Sequence, residues 1–362
     1  MKAKGIPNVT LFVTMILLMI MGVLALATSS TPISLKITNN PNYYLFHQLL
    51  WGLLPGLAFG FIAFKIPLHS IKKWSFLIFV FSIILMLLVF IPSLSRTELG
   101  ATRWLDFGFI NFQPSEILKL ATILYLAAIL NSEKDRKKFT AFFIVLALIC
   151  SILVLQKDMG TLIVIFTIMI AMFFCSKTPF KQTAVIVLLV VLGFGGLILA
   201  TPYRFQRVLS FLHPGTDPLG TGYHINQALI SVGSGGLAGS GLGLSVQKFG
   251  FVPQSISDSI FAIFAEEVGF IGSSILVALF LAFFFMTFSL GKRTNDEYLR
   301  LISIGIGSWF IIQALVNIGA MIGLVPLTGI PLPFISYGGS HLCMELLACG
   351  ILLNISKHAK GA

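Results

Sequence analysis

The stretch VTLFVTMILLMIMGVLALA, residues 9–27, decides the fold. It holds no charged side chain, and a helix needs about 20 mostly apolar residues to cross a bilayer. Lys2 and Lys4 precede it and Thr28-Ser29-Ser30 follow, as in a secretory signal with a small-residue cleavage site. A signal core, however, runs only about 7–15 residues and is not followed by many more apolar runs. The segment is therefore read as a retained first membrane helix, a signal anchor.

Nine further runs follow: Phe46–Phe64, Ser75–Ile91, Pro114–Ala128, Phe139–Leu155, Met159–Phe174, Thr183–Ala200, Ile260–Phe288, Leu301–Ile322 and Gly338–Ile355. They predict an all-α polytopic membrane protein with ten transmembrane helices, a single unit over residues 1–362. Composition agrees. Hydrophobic residues make up 57% of the chain and charged residues 10%, against about 25% charged in a soluble domain. So little charge could not cover a surface facing water. The net charge of +11 does not point to nucleic acid, because the basic residues sit in short clusters between apolar runs, where they set orientation. With the N-terminus inside, the inner segments hold sixteen of the 24 Lys and Arg residues, which places both termini in the cytoplasm. Cys150, Cys175, Cys343 and Cys349 lie in or beside apolar runs without metal-type spacing, and are read as small packing residues.

Two outer segments are long, Pro92–Gln113 and Thr201–Ser259. Long ordered loops in compact proteins usually carry function. At the edge of the first, Gln113-Pro114-Ser115-Glu116 opens the fourth helix. Glu116 and Lys119 share a face at i, i+3. Such a pair is either a self-satisfied tie between helices or part of a polar cavity opening outward. The second segment holds Arg204 and Arg207, again three apart on an amphipathic pattern, either an interfacial anchor or two guanidinium forks for phosphate. Its glycine-rich run, Gly233 to Gly243, lacks dinucleotide-binding spacing. It reads as a loop that packs back onto the membrane domain. Asp258 stands just before a long apolar helix, either as an N-cap or as a carboxylate held for chemistry. Glu266 and Glu267 lie about 12–14 Å deeper if helical, where buried structural partners are expected.

These segments together resemble the SEDS family of peptidoglycan glycosyltransferases (FtsW, RodA and SpoVE types) over nearly the whole chain. The resemblance rests on Gly100 to Asp106, Gln113 to Glu116 with Lys119, Gln156 to Thr161, and Arg204 and Arg207 before Phe211-Leu212-His213-Pro214. It continues in Gly241 to Lys248, Ser257-Asp258 through Glu266-Glu267-Val268-Gly269, and Leu332 to Ser340. The Ser245-Val246-Gln247-Lys248 stretch is more similar to the division-type members, FtsW above all. Where the family often has Pro-Glu, this chain has Pro253-Gln254. Where it usually has Thr-Asp-Phe, this chain has Ser257-Asp258-Ser259. Lys157 replaces a usual Pro, and His341 a common Ser.

The resemblance implies polymerisation of lipid II into glycan strands at the outer face of the bacterial cytoplasmic membrane, with release of undecaprenyl pyrophosphate. The loop 201–259 would carry the active site. The family's essential acid falls on Asp258, which would act as the base. Arg103, Lys119, Arg204, Arg207 and Lys248, with Glu116, would form the substrate-binding set. A divalent cation, Mg²⁺ or Mn²⁺, could share in neutralising the pyrophosphate; no nucleotide cofactor is expected. The implied partner is a class B penicillin-binding protein, a transpeptidase, within a division or elongation complex. Two rival functions stay open at this point: a lipid II flippase, motivated by the intramembrane charges, and a non-catalytic division scaffold.

Overall fold

The computed structural model describes residues 7–98, 101–106, 108, 111–131, 135–176, 178–199, 201–212 and 222–359. In chain order its helices are α1 (Val9–Thr38), α2 (Tyr43–Lys65), α3 (Leu68–Leu88), α4 (Pro114–Leu130), α5 (Asp135–Leu155) and α6 (Met159–Phe174). They continue with α7 (Phe180–Leu199), α8 (Pro202–Leu212), α9 (Tyr223–Ser234), α10 (Ile260–Arg293), α11 (Glu297–Met321) and α12 (Gly339–Ser356). Among the described residues eight helices are long and apolar enough to cross a membrane: α1, α2, α3, α5, α7, α10, α11 and α12. The chain is thus a multi-pass helical membrane protein. The expected ten spans would add α4 and α6, with 17 and 16 residues, each about 25 Å long.

Contacts sort the connections into two ends. At one end the chain's start meets its finish: the Asn8 N–H donates to Ser356 Oγ at 3.0 Å. There Asn354 also donates to the carbonyls of Ala63 and Ile66, at 3.0 and 2.7 Å. At the other end lie the α3–α4 and α5–α6 connections, the stretch between α9 and α10, and the α11–α12 connection, joined by the bonds described below. Helix α11 runs through the middle, with Trp309 and Phe310 fully buried. Helices α3 and α7 form the rim, where exposed Phe76, Leu77, Val191 and Leu192 are apolar because their solvent is lipid.

Most helices extend past their apolar runs. The run from Val9 was expected to end at Ala27, yet α1 continues to Thr38. Hydroxyls explain it: Ser29 donates to the Ala25 carbonyl at 2.7 Å, and Thr31 to that of Ala27 at 3.1 Å, hiding their polarity against the helix itself. Pro32 lies inside the helix. It has no N–H for the Thr28 carbonyl, which finds a different donor in Lys248.

Helices α2 and α12 touch almost backbone to backbone. Gly52, Gly56 and Gly60 recur every fourth residue on α2, a spacing that lets two helices approach closely in lipid. A Cβ on Gly350 of α12 would stand 2.0 Å from the Gly60 carbonyl oxygen. The Pro92–Gln113 segment, read as an outer loop, contains an antiparallel sheet: β1 (Ser95–Glu98), β2 (Ala101–Asp106) and β3 (Asn111–Phe112), in the order β1-β2-β3. Arg96 pairs with Trp104, and the register shifts between Arg96 and Thr97.

Candidate active site

Helix α10 is broken. Gly269 has φ 68° and ψ −167°, separating Ile260–Val268 from the rest. Backbone groups opened by such a break in a membrane need new partners, and the glycine-rich loop supplies them. The Ser240 and Gly241 N–H groups donate to the carbonyls of Glu266 and Glu267, at 2.9 and 3.0 Å. In return the Gly236 and Leu237 carbonyls accept from Phe270 and Ile271, at 2.9 and 3.1 Å. Only glycine fits this seam: a Cβ on Gly239 would lie 2.2 Å from the Glu267 oxygen, and one on Gly269 would lie 2.3 Å from the Gly239 nitrogen. The loop therefore does pack back onto the membrane domain.

Glu266 and Glu267 hold the same seam from the side. The Glu266 carboxylate accepts from Ser231 Oγ (3.0 Å), Ser245 Oγ (2.6 Å) and the Val246 N–H (3.0 Å). Glu267 pairs with Lys248 at 3.0 Å. Lys248 also donates to the Gly243 carbonyl at 2.7 Å and to the Thr28 carbonyl that Pro32 leaves open, at 3.1 Å. An ammonium has three donors, and all three are in use. Lys248 is buried and pins the loop to α1. The structure sets this expected substrate-binding cation among partners of its own fold.

Above the seam, the half-helix Ile260–Val268 begins at Ser259, which occupies the N-cap position. Ser259 makes no side-chain capping hydrogen bond there, and Asp258 stands one residue before it. Asp258 is half-buried. The three carbonyls that lead into the helix are each held from outside it. Ile256 accepts from the Tyr337 N–H at 2.8 Å, Ser257 from Ser336 Oγ at 2.6 Å, and Asp258 from Asn317 Nδ2 at 2.7 Å. A tight turn at Gln254, with φ 53°, presents the segment; its carbonyl accepts from the Ser257 and Ser259 N–H groups at 3.0 and 3.2 Å. The carboxylate lies against Gly329, where an added Cβ would stand 3.2 Å from Asp258 Oδ2. Beside it, His224 Nε2 and Ser259 Oγ are 2.6 Å apart.

The other predicted residues divide. Glu116 and Lys119 form a buried ion pair at 2.8 Å. Lys119 also donates to Gln313 Oε1 at 2.8 Å and sits 5.0 Å from the centre of the Trp309 ring. The pair ties α4 to α11, the first of the two options that its spacing left open. Arg103, on β2, donates to the Lys157 carbonyl and lies 3.8 Å from Asp158 Oδ1. Asp158 in turn caps α6 through the Thr161 N–H at 3.2 Å. Arg204 and Arg207 fall one turn apart on α8, but their side chains, like His213 and Pro214, lie outside the described residues. Among the described residues no three His, Cys, Asp or Glu side chains converge as a metal cage. Asp258 offers a single carboxylate there.

Sequence reasoning missed Gln313, Asn317 and Glu345. Gln313 donates to the Pro331 carbonyl at 2.9 Å, and Asn317 to that of Ile330 at 2.7 Å. The Phe334 N–H donates to Glu345 at 2.8 Å. The signal was present: polar residues four apart on an apolar helix, and a carboxylate within a span, are costly unless they serve a purpose. Nearby, Tyr337 Oη lies 2.9 Å from His47 Nδ1. Burial, reinforced by Tyr44 and Tyr43, pushes the Tyr337 phenol up.

A family model covering the FtsW, RodA and SpoVE proteins, described as cell cycle proteins, matches residues 8–361. A protein named probable peptidoglycan glycosyltransferase FtsW from Coxiella burnetii is 36% identical over 347 residues, covering 94% of this chain and 93% of that protein. Stage V sporulation protein E of Bacillus subtilis is 37% identical over 362 residues, covering 99% of each. Among solved structures, a chain of a peptidoglycan synthase complex coordinating polymerization and crosslinking superposes with TM-score 0.81 at 24% identity, covering 98% of this chain and 99% of that one. The rod shape determining protein RodA of Thermus thermophilus gives TM-score 0.72 at 22% identity, with 98% of each covered. These two structural matches establish a shared fold.

Proposed function

The chain belongs to the FtsW, RodA and SpoVE family, and on that footing we propose that it is a peptidoglycan glycosyltransferase with Asp258 as its base. It polymerises lipid II into glycan strands at the outer face of the cytoplasmic membrane, with both termini in the cytoplasm. The acceptor hydroxyl oxygen attacks the anomeric carbon of the donor, the bond from that carbon to the pyrophosphate oxygen breaks, and the hydroxyl proton passes to Asp258. Undecaprenyl pyrophosphate leaves with its electron pair. A positioned base contributes about 10²–10⁴-fold. The leaving group needs no proton if cations meet its charge. Arg204 and Arg207, on one face of α8, are assigned that role, because Lys119 and Lys248 are already committed to buried partners.

One observation carries the reading: Asp258 stands half-buried at the tip of a half-helix, with its own carbonyl and the two before it held by donors from other elements. A class B penicillin-binding protein is the proposed partner, and cell division the proposed setting, in keeping with relatives named FtsW and stage V sporulation protein E. Flippase activity loses its motive, since Glu116, Lys119 and Glu266 each have partners inside the fold. The test is polymerisation of lipid II by purified protein, with and without a chelator. Asp258→Asn should lower the rate at least about 100-fold while leaving the thermal unfolding temperature unchanged. Strands made at the wild-type rate by that variant would remove Asp258 from the mechanism.

A further inference from the structure

Resting on the reading of Asp258 as the base, we propose that Asn317 is a positioning residue that fixes the Asp258 carboxylate for proton transfer. Asn317 lies on α11 and is only 2% exposed. An amide buried this deeply in a membrane protein is costly unless hydrogen-bonded. Both N–H donors of its Nδ2 are used, and on different segments: one on the Asp258 carbonyl, the other on the Ile330 carbonyl, each at 2.7 Å. Its Oδ1 has no hydrogen-bond partner. The side chain therefore serves as a two-pronged donor.

The two segments it joins are the two sides of the carboxylate. One is the residue itself. The other contains Gly329, the wall against which Asp258 Oδ2 lies. A single amide thus sets both the base and the surface beside it. The remaining clamps on this segment, Ser336 Oγ on Ser257 and the Tyr337 N–H on Ile256, come from the α11–α12 connection. Asn317 alone of the three reaches out from a helix of the buried frame. One turn earlier, Gln313 holds the Pro331 carbonyl at 2.9 Å and accepts from Trp309 Nε1 at 2.7 Å. The connection is thereby tied to the same helix face at two successive residues.

A purely structural role would lower stability without choosing between turnover and binding. A positioning role selects turnover, because displacing a catalytic group by about 1 Å can cost about 100-fold. The test uses full-length protein, lipid II polymerisation and hydrogen exchange. For Asn317→Ala, kcat should fall roughly 10–100-fold, while KM for lipid II stays within about twofold. Amide exchange should quicken over the two segments the amide joins, residues 254–262 and 328–332. A kcat within about threefold of wild type, or a loss confined to KM, would overturn the assignment. If Asn317→Ala does not fold, Ser336→Ala releases the neighbouring Ser257 carbonyl and should show the same loss in kcat at constant KM; an unchanged kcat would count against the clamp. Wild-type protein that makes no strands would instead refute the transferase reading, and the exchange data would then judge the clamp alone.

Discussion

Replacing Lys248 with Met separates the two roles the residue could have. The change keeps most of the side chain's length and removes the ammonium. Three acceptors lose their donor at once: Glu267 Oε1, the Gly243 carbonyl and the Thr28 carbonyl. At 3.0 Å the ion pair alone carries a gross attraction of about 5.5 kcal/mol at an effective dielectric of about 20. Removing one partner of a buried pair typically costs about 3–5 kcal/mol, since the remaining charge is stranded. Glu267 is 2% exposed and has no route to water. Thermal unfolding of the detergent-purified protein should therefore drop by on the order of 10 °C. The double variant Lys248→Met, Glu267→Gln should recover more than half of that, because neutralising both partners removes the stranded charge. Lipid II polymerisation by the folded fraction should keep its KM. A tenfold rise in KM with no change in unfolding temperature would show that Lys248 meets substrate and that its buried placement is not the working one.

Two further outcomes test the packing and the outer rim. Gly350→Ala drives a methyl group to within 2.0 Å of the Gly60 oxygen and should cost about 1–3 kcal/mol, whereas Gly195→Ala, with open space around it, should be neutral or slightly stabilising; equal melting of the two would argue against the close α2–α12 contact. The raised Tyr337 phenol contributes stability that is complete below about pH 10, where the unfolded side chain is still protonated, and that is lost as pH rises toward the folded value. Tyr337→Phe should therefore lose less thermal stability than wild type between about pH 9 and 11, and identical pH curves would refute the assignment.

Eight of the ten expected spans were legible because their signal is additive: each lies on a helix long and apolar enough to cross a membrane. The pairing of Glu116 with Lys119 was legible as one of two options, since i, i+3 spacing puts both on one face; which option holds depends on Gln313 and Trp309, nearly two hundred residues away in sequence. The partners of Lys248 were hidden for a similar reason. In sequence it is a cation in an outer loop. Its fate is decided by a proline in the first helix that leaves the Thr28 carbonyl open. The break at Gly269 was hidden inside one predicted run, Ile260–Phe288, where the glycine-rich loop takes over the backbone bonds of Glu266, Glu267, Phe270 and Ile271. The sheet at Ser95–Asp106 was missed since its strands are short and sit beside a span. Asn317 and the spaced glycines of α2 were visible on the page, and a search for polar or small residues at helical intervals would have found them.

The broken helix also has a mechanical meaning. A span that crosses without interruption tilts as a rod when the surrounding lipids thin or thicken, and anything mounted on its tip swings with it. Here the short half Ile260–Val268, about 13 Å long, is fastened at both tips: by the carbonyl clamps above and by the exchanged backbone bonds below. Beyond Gly269 the longer half runs on to Arg293, with Phe270 and Ile271 exposed. The joint is thereby expected to separate the position of Asp258 from the tilt of the longer half-helix.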